Sequence, residues 1–213
     1  MTIRILVADD HGVLRAGLTT LLNAQSDMEV VGEAENGKTA IKLSIETQPD
    51  VILMDISMPD MDGIEATKRI KQSNSNARVL ILSLHEDSEL IKEAIRSGAQ
   101  GYILKKALKE DLIRAIHEVM RNEIYLHASL AQQLFKNPSE FGKTEDDQVI
   151  DPLTPREIDV LRFIASGYTN KQTAEHLQIS VRTVEYHRSH ITNKLNLQSR
   201  VELMQYAEQH GIV

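Results

Sequence analysis

The chain has 213 residues, a formal net charge of −7 and no cysteine, so disulfides, thiolate metal sites and cysteine nucleophiles are excluded. A chain of this length accommodates one large or two small domains, each able to bury a core. Charged residues occur near its start and no apolar run approaches ~18 residues. We therefore expect no signal peptide, no membrane span and a cytoplasmic location.

Strand-like and helix-like segments alternate five times between residue 3 and about residue 121. The strand-like segments are short, apolar and β-branched, which is typical of parallel strands buried on both faces. Repeated βα units imply a parallel sheet with right-handed crossovers and helices on both faces. We therefore predict a five-stranded, doubly wound α/β domain. Its strands are Ile3–Ala8, Met28–Ala34, Val51–Met54, Arg78–Ser83 and Gly101–Leu104.

Three carboxylates stand at the carboxyl ends of two predicted strands. Asp9 and Asp10 follow the first strand directly, and Asp55 follows Val51–Met54. In open α/β sheets, ligands bind in the crevice beyond these strand ends. Like charges so close together need a cation or a raised pKa, and an oxygen-rich site suits Mg²⁺, which pairs with phosphate oxygens. Asp55 is thus a candidate phosphoryl acceptor, although Asp9 and Asp10 could instead cap the first helix.

The segment 122–149 departs from this alternation. It is polar and acidic and shows no sustained periodicity, which predicts a linker. A short helix at about 128–135 would make the linker partly helical. The sequence thus predicts three parts: a domain over 1–121, the linker over 122–149, and a second domain over 150–213.

Every signal in the second domain is helical. Thr154 and Glu157 bracket a proline in the pattern of a capped helix start. Two helices, at about Asn170–Leu177 and Val181–Leu195, are separated by a turn of about three residues, which is helix-turn-helix geometry. A last helix at about Ser199–His210 completes a predicted four-helix, all-α domain.

Four motifs of the first domain stand in order at the ends of predicted strands. They are Asp9-Asp10, Asp55 in Met54-Asp-Ile-Ser-Met-Pro59, Ser83 after Val79-Leu-Ile-Leu82, and Lys105 in Gly101-Tyr-Ile-Leu-Lys105. With these motifs the first domain resembles a receiver domain, which has a flavodoxin-like fold. The second domain resembles a LuxR-type DNA-binding domain. In this order the two resemble a two-component response regulator of the NarL/FixJ family.

The resemblance implies a phosphoacceptor site that uses Mg²⁺. Asp55 would attack the phosphorus of a phosphohistidine on a sensor histidine kinase and form an acyl phosphate. Asp10, Asp55 and the backbone carbonyl of Ser57 would bind Mg²⁺ directly, and Asp9 would act mainly through water.

The resemblance also implies a conformational switch. Lys105, a flexible point cation, would pair with the phosphoryl oxygens. The Ser83 hydroxyl would move toward one of these oxygens and let Tyr102 swing inward, a local change that biases the domain surface between two states. Leu84 and His85 depart from the commonest receiver pattern, and we hypothesise that Leu84 shields the acyl phosphate from water.

Val181–Leu195 is the predicted recognition helix. Val184, His187 and Ile191 share the face expected to pack on the core. Side chains on the outer face would read bases in the major groove, and others would contact phosphates, which position a protein without specifying sequence. The predicted base-facing residues are Arg182, Glu185, Tyr186, Arg188, Ser189 and Asn193, and the predicted phosphate contacts are Lys171, Thr183 and Lys194.

We interpret the chain as a phosphorylation-controlled, DNA-binding transcriptional regulator and not an enzyme. Its expected partners are promoter DNA, a sensor histidine kinase and a second copy, paired through Val201, Met204 and Ala207 of the last helix on phosphorylation or DNA binding; no membrane partner is expected. An alternative of another class is a binding protein that works independently of phosphorylation. An aspartyl phosphatase is discarded because it needs a second acidic residue two positions after Asp55, where Ser57 stands.

Overall fold

The computed structural model of the chain describes residues 2–84, 86–107, 109–126, 153–177, 179–197 and 199–213, with the backbone alone at Arg182. The chain divides into two compact units, Met1–Phe135 and Lys136–Val213. The predicted linker helix at 128–135 lies outside the described residues. No described helix is both long enough and apolar enough to cross a membrane.

The first unit is built on a six-stranded parallel sheet with strand order β2-β1-β3-β4-β5-β6. The order of its first five strands is that of flavodoxin-like, doubly wound sheets, so the predicted fold class is confirmed. The strands are β1 (Ile3–Ala8), β2 (Met28–Ala34), β3 (Val51–Asp55), β4 (Val79–Ser83), β5 (Gly101–Leu104) and β6 (Tyr125–Leu126). The helices are α1 (Gly12–Asn23), α2 (Gly37–Thr47), α3 (Gly63–Ser73), α4 (Ser88–Arg96) and α5 (Lys109–Met120).

Apolar side chains anchor the sheet between its helices. Every residue of β3 and β4 is buried, as expected for parallel strands covered on both faces. Helices α1 and α5 pack on the strands in one cluster that includes Val7, Leu22, Leu53, Leu82 and Ile116. Each such aliphatic side chain contributes about 1.5–3 kcal/mol on burial. This packing fixes the carboxyl ends of the strands, and with them the residues that follow the strands.

The sixth strand, β6, was not predicted. It pairs in parallel with β5, with Gly101 opposite Tyr125. A Cβ at position 101 would lie 3.1 Å from the Tyr125 carbonyl oxygen, so glycine permits this close approach. Two residues are too few to show a strand pattern, which is why the sequence assigned them to the linker. The prediction of five strands was wrong by one, and β5 is not an edge strand.

The second unit contains four described helices: α6 (Pro155–Ala165), α7 (Asn170–Leu177), α8 (Val181–Leu195) and α9 (Arg200–Gln209). Helix α8 packs against both α6 and α7. The core they enclose includes Leu161, Val184, Ile191, Leu203 and Ala207. The prediction of a helical second domain is confirmed.

Side-chain caps fix where these helices begin. The Thr154 hydroxyl accepts a hydrogen bond from the Glu157 amide, and the Glu157 carboxylate accepts one from the Thr154 amide, which is the predicted capping box. The N-cap of α8 is Ser180, whose hydroxyl accepts a hydrogen bond from the Thr183 amide at 3.0 Å. Caps of this kind contribute about 1 kcal/mol each. The Ser180 cap fixes the start of the second helix of the helix-turn-helix, which α7 and α8 form.

Candidate functional site

The carboxyl ends of four neighbouring strands bring the predicted acceptor residues together. Ala8 of β1 pairs with Met54 of β3, so the residues that follow them, Asp9 and Asp55, are neighbours. Asp55 is in register with Leu82 of β4, and the next residue, Ser83, lies opposite Leu104 of β5. Lys105 follows Leu104 directly. Strand register therefore assembles the predicted set at one edge of the sheet.

One ammonium group serves two buried carboxylates at this edge. The Lys105 Nζ atom lies 2.7 Å from Asp9 Oδ2 and 2.8 Å from Asp55 Oδ2. All three side chains are almost completely buried. Burial raises the pKa of the Asp55 carboxyl, because desolvation outweighs the opposing effect of the Lys105 charge. The site thus holds more buried negative charge than Lys105 alone neutralises.

Backbone groups orient the same two carboxylates. Asp9 Oδ1 accepts a hydrogen bond from the His11 amide at 2.8 Å, and Asp55 Oδ1 accepts one from the Ser57 amide at 3.3 Å. The guanidinium of Arg15 donates to the Asp9 carbonyl oxygen. Both carboxylates are therefore fixed by the loops that follow β1 and β3. This is the preorganisation that phosphoryl transfer requires.

The first residue of α3, Gly63, packs closely against the backbone of Asp55. A Cβ at Gly63 would lie only 2.0 Å from the Asp55 carbonyl oxygen, a distance that no side chain tolerates. Asp62 caps α3 by accepting hydrogen bonds from the Ile64 and Glu65 amides. The close contact between Gly63 and Asp55 fixes the backbone that carries the acceptor carboxylate.

Four side chains of this edge offer ligand atoms that lie near one another. Asp9, Asp10, His11 and Asp55 each offer one ligand atom, and these atoms lie within 4.8 Å of one another. Sequence reasoning missed His11, although its position directly after two ligand candidates was the available signal. The alternative in which Asp9 or Asp10 caps α1 is not what the structure shows, since the N-cap of α1 is His11, without a side-chain cap.

The predicted switch residues are adjacent in the core of the sheet. Ser83 and Tyr102 are fully buried, and their hydroxyl groups form a hydrogen bond. Burial raises the pKa of the Tyr102 phenol well above its usual value, so it is a neutral hydrogen-bonding group. Strand β6 pairs with β5, so Tyr102 does not stand on an edge strand. Leu84 is half exposed, and His85 lies outside the described residues.

The exposed face of α8 contains fewer of the predicted base-facing residues than the sequence indicated. Glu185, Ser189 and Asn193 are exposed and Arg188 is half-buried, while the side chain of Arg182 is not described. Val184, His187 and Ile191 are buried, as expected.

Two predicted DNA contacts are turned away from that face. Tyr186 is only 7% exposed and its ring stacks on His190, with centroids 4.1 Å apart. Thr183 is 1% exposed, and its hydroxyl bonds the Ser180 hydroxyl at 2.7 Å. The outward placement of Tyr186 was wrong, and the burial of Thr183 does not fit the phosphate contact predicted for it, because α8 packs on two helices, α6 and α7. A helix between two neighbours buries a wider arc than a single apolar stripe indicates.

Two protein families together match most of the chain. The response regulator receiver domain matches residues 5–117, and the luxR family of bacterial regulatory proteins matches residues 151–207. The chain belongs to the response regulators. Its combination of domains is that of the NarL/FixJ family, as the motifs predicted.

Relatives cover both domains of this response regulator. The oxygen regulatory protein NreC of Staphylococcus haemolyticus (strain JCSC1435) is 42% identical over 208 residues, 96% of either chain. A LuxR-family response regulator from Aurantimonas sp. SI85-9A1 is 34% identical in its crystal structure, with a TM-score of 0.63 over 66% of this chain and 100% of the other. The response regulator ChrA of a heme-sensing two-component system is 33% identical, with a TM-score of 0.54 over 100% and 99%. The protein is thus a phosphorylation-dependent, DNA-binding response regulator of a two-component system and not an enzyme.

Lys194 has a structural partner within the second unit of this response regulator. Its Nζ atom lies 2.8 Å from Glu157 Oε2. The same oxygen of Glu157, which is buried, accepts the Thr154 amide of the capping box at 2.7 Å. Lys194 therefore joins the end of α8 to the start of α6. Lys171 is exposed near the start of α7, as a phosphate contact requires.

The last helix of the response regulator presents only part of its predicted pairing face. Val201 is 62% exposed, and Met204 is partly buried against the core. Ala207 is completely buried among the helices of its own unit. Assigning Ala207 to a surface that pairs two copies was therefore wrong.

Proposed function

We propose that Asp55 accepts a phosphoryl group from the phosphohistidine of a sensor histidine kinase, and that this modification controls binding of promoter DNA by α7 and α8. The observation that carries the proposal is the single Lys105 ammonium held between the carboxylates of Asp9 and Asp55. A buried acceptor next to a cation and an acidic metal site has the parts that phosphoryl transfer needs.

The transfer itself is a simple exchange of bonds. A carboxylate oxygen of Asp55 attacks the phosphorus in line, the oxygen–phosphorus bond forms, and the bond from phosphorus to the kinase imidazole breaks. The imidazole leaves with the electron pair of that bond and takes up a proton. Lys105 pairs with phosphoryl oxygens as their charge moves toward Asp55. Little covalent chemistry is asked of the protein, so positioning and charge stabilisation carry the reaction.

The acidic edge fits Mg²⁺ by its donor chemistry. Three of its ligand atoms are carboxylate oxygens, and hard oxygen donors are the ligands that Mg²⁺ prefers. Asp10, Asp55 and the carbonyl of Ser57 would hold the ion directly, and Asp9 would act through water. When bound, the ion supplies positive charge that neutralises the phosphoryl oxygens.

The hydrogen bond between Ser83 and Tyr102 is suited to pass the change on. If the Ser83 hydroxyl turns to a phosphoryl oxygen on Asp55, it gives up its bond to the Tyr102 hydroxyl. A buried phenol that loses its partner is costly, by about 1–3 kcal/mol, so Tyr102 and its surroundings favour a second arrangement. This is a local event that biases a two-state element.

Helix α8 carries the output of this switch. Arg182 and Arg188, with Glu185, Ser189 and Asn193, would read base edges in a major groove, and Lys171 would contact a phosphate. The second domain is electrically neutral overall, so one copy should bind weakly and a homodimer on two half-sites should supply most of the occupancy. Half-sites about one helical turn apart fit such a dimer. We expect this activity in the cytoplasm, because promoter DNA lies there in a bacterial cell.

Labelling with a small phosphodonor tests the acceptor. Incubation of the protein with acetyl phosphate and Mg²⁺ should add the mass of one phosphoryl group, and removal of Mg²⁺ by a chelator should abolish the gain. The Asp55→Asn variant should gain nothing, whereas Asp27→Asn, which changes an exposed aspartate bonded to His117, should be labelled normally. Equal labelling of Asp55→Asn would contradict the assignment. An unlabelled wild-type protein would favour the phosphorylation-independent alternative.

A further inference from the structure

His11 places an imidazole beside the acidic cluster. Its Nδ1 atom lies 2.8 Å from Asp10 Oδ1 and 3.6 Å from Asp9 Oδ1. The ring is half exposed, so it reaches the site from the solvent side. The buried Asp9 and Asp55 approach the site from within the sheet, where the Oδ2 atom of each contacts Lys105.

The shorter of these separations is close to the edge of a coordination octahedron. Ligand atoms at about 2.1 Å from an octahedral ion are about 3 Å from their neighbours. The 2.8 Å from His11 Nδ1 to Asp10 Oδ1, which is also a hydrogen-bond distance, lies near that value, so both atoms could become neighbouring ligands of one ion. Since Lys105 contacts the Oδ2 atoms of Asp9 and Asp55, the Oδ1 atoms are left to receive an ion, directly at Asp55 and through water at Asp9.

We propose that His11 is a ligand of the divalent ion in this site and tunes the site toward Mn²⁺. The inference rests on the proposed function, because it concerns the ion that assists phosphorylation of Asp55. Carboxylate and water ligands suit Mg²⁺ and Mn²⁺ alike, whereas imidazole favours transition ions over Mg²⁺. A site with oxygen donors and one nitrogen donor therefore gains affinity for Mn²⁺ without losing its fit to Mg²⁺.

The competing interpretation makes His11 a positioning residue only. In that case its ring would donate a hydrogen bond to Asp10 and hold the carboxylate toward the ion, as groups around metal ligands commonly do. The two interpretations differ in one measurable respect. Only a ligand places a nitrogen nucleus in direct contact with the ion and alters the preference of the site between ions.

Calorimetry and pulsed electron paramagnetic resonance on the untagged, full-length protein separate them. The wild-type protein with Mn²⁺ should show nitrogen modulation from a bound imidazole. His11→Asn, which puts a good N-cap residue at the start of α1, should lose the modulation. Its Mn²⁺ affinity should fall by about tenfold or more, and its Mg²⁺ affinity by a smaller factor. His117→Asn makes the same change on α5, where His117 bonds Asp27, and should leave both affinities unchanged.

The outcomes distinguish this inference from the proposed function. If wild-type protein binds Mn²⁺ without nitrogen modulation, or if His11→Asn keeps the ratio of Mn²⁺ to Mg²⁺ affinity, His11 is not a ligand and the inference is overturned. If neither ion binds, or if Asp55→Asn binds both as well as wild type, the metal site of the proposed function is overturned as well.

Discussion

Asp55 and Asp9 share one ammonium group inside the protein, and this sets the energetics of the acceptor. Two buried carboxylates face a single Lys105, and removing charges from water costs several kcal/mol per ion. The raised pKa of Asp55 reflects that cost. The acceptor therefore carries a charge that destabilises the folded protein, and a divalent cation would offset this charge when it binds for phosphorylation.

Replacing Asp55 by the neutral, similarly shaped asparagine should stabilise the protein. The change leaves Asp9 and Lys105 as a balanced pair and should raise the free energy of unfolding by about 1–2 kcal/mol at neutral pH without Mg²⁺. Because the pKa of Asp55 is raised in the folded state, the free energy of unfolding of the wild-type protein falls as the pH rises through that pKa. The gain in Asp55→Asn should therefore shrink as the pH falls below it, measured by urea unfolding.

The exposed Asp60, in a left-handed turn at φ 65°, provides the matched control. Asp60→Asn should change the unfolding free energy by less than about 0.5 kcal/mol at any pH. A destabilised Asp55→Asn protein at neutral pH, or a gain that grows on acidification, would show that burial does not dominate at Asp55.

At the scale of elements, the turn from β3 to α3 is built around a missing side chain. Gly63 lies so close to the Asp55 carbonyl that a Cβ would meet it at 2.0 Å. Glycine in α1 has no such reason, since a Cβ at Gly17 would meet nothing within 4 Å. Gly63 is therefore required by its contact with Asp55, whereas Gly17 only weakens its helix.

These two glycines should respond to alanine with opposite signs. Gly63→Ala should lower the free energy of unfolding by about 3 kcal/mol, because the backbone of Asp55 must shift. Gly17→Ala should raise it by about 0.5–1 kcal/mol through helix propensity. Thermal or urea unfolding of both variants measures the contrast. Similar effects of the two substitutions would mean that the close contact at Gly63 is absent.

The ion pair between Lys194 and Glu157 should contribute to the stability of the second unit. Lys194→Met should cost about 1 kcal/mol, a modest value because the lysine is one-third exposed. Lys171→Met, at an exposed position on α7, should change stability by less than about 0.5 kcal/mol. Equal stability of the two variants in urea unfolding would leave Lys194 free to act only as a DNA contact.

Element-level patterns predicted most of the fold and the meeting of Asp9, Asp55 and Lys105 at one edge of the sheet, but they missed His11. Asp9, Asp55 and Lys105 were predictable because parallel strands deliver the residues after them to one edge. Strand β6 was not, since two residues carry no periodic signal. Tyr186 and Thr183 were misplaced because the sequence shows a helix face but not how many neighbours cover it.

At the scale of the whole molecule, the two units divide the work. The first unit is acidic and carries the acceptor, whereas the second carries the recognition helix within residues 150–213, which are neutral overall. A neutral DNA-binding domain gains little from phosphate contacts, so control of pairing should control DNA occupancy more than any change within α8. Phosphorylation would then act by raising the effective concentration of a second DNA-binding unit.

Binding to DNA selected from a random pool tests the central claim most directly. Wild-type protein phosphorylated with acetyl phosphate and Mg²⁺ should enrich two half-sites about one helical turn apart and bind them at least about tenfold more tightly than the unphosphorylated protein. Asp55→Asn, given the same treatment, should bind like the unphosphorylated protein. Equal affinity of all three for the selected DNA would contradict control through Asp55.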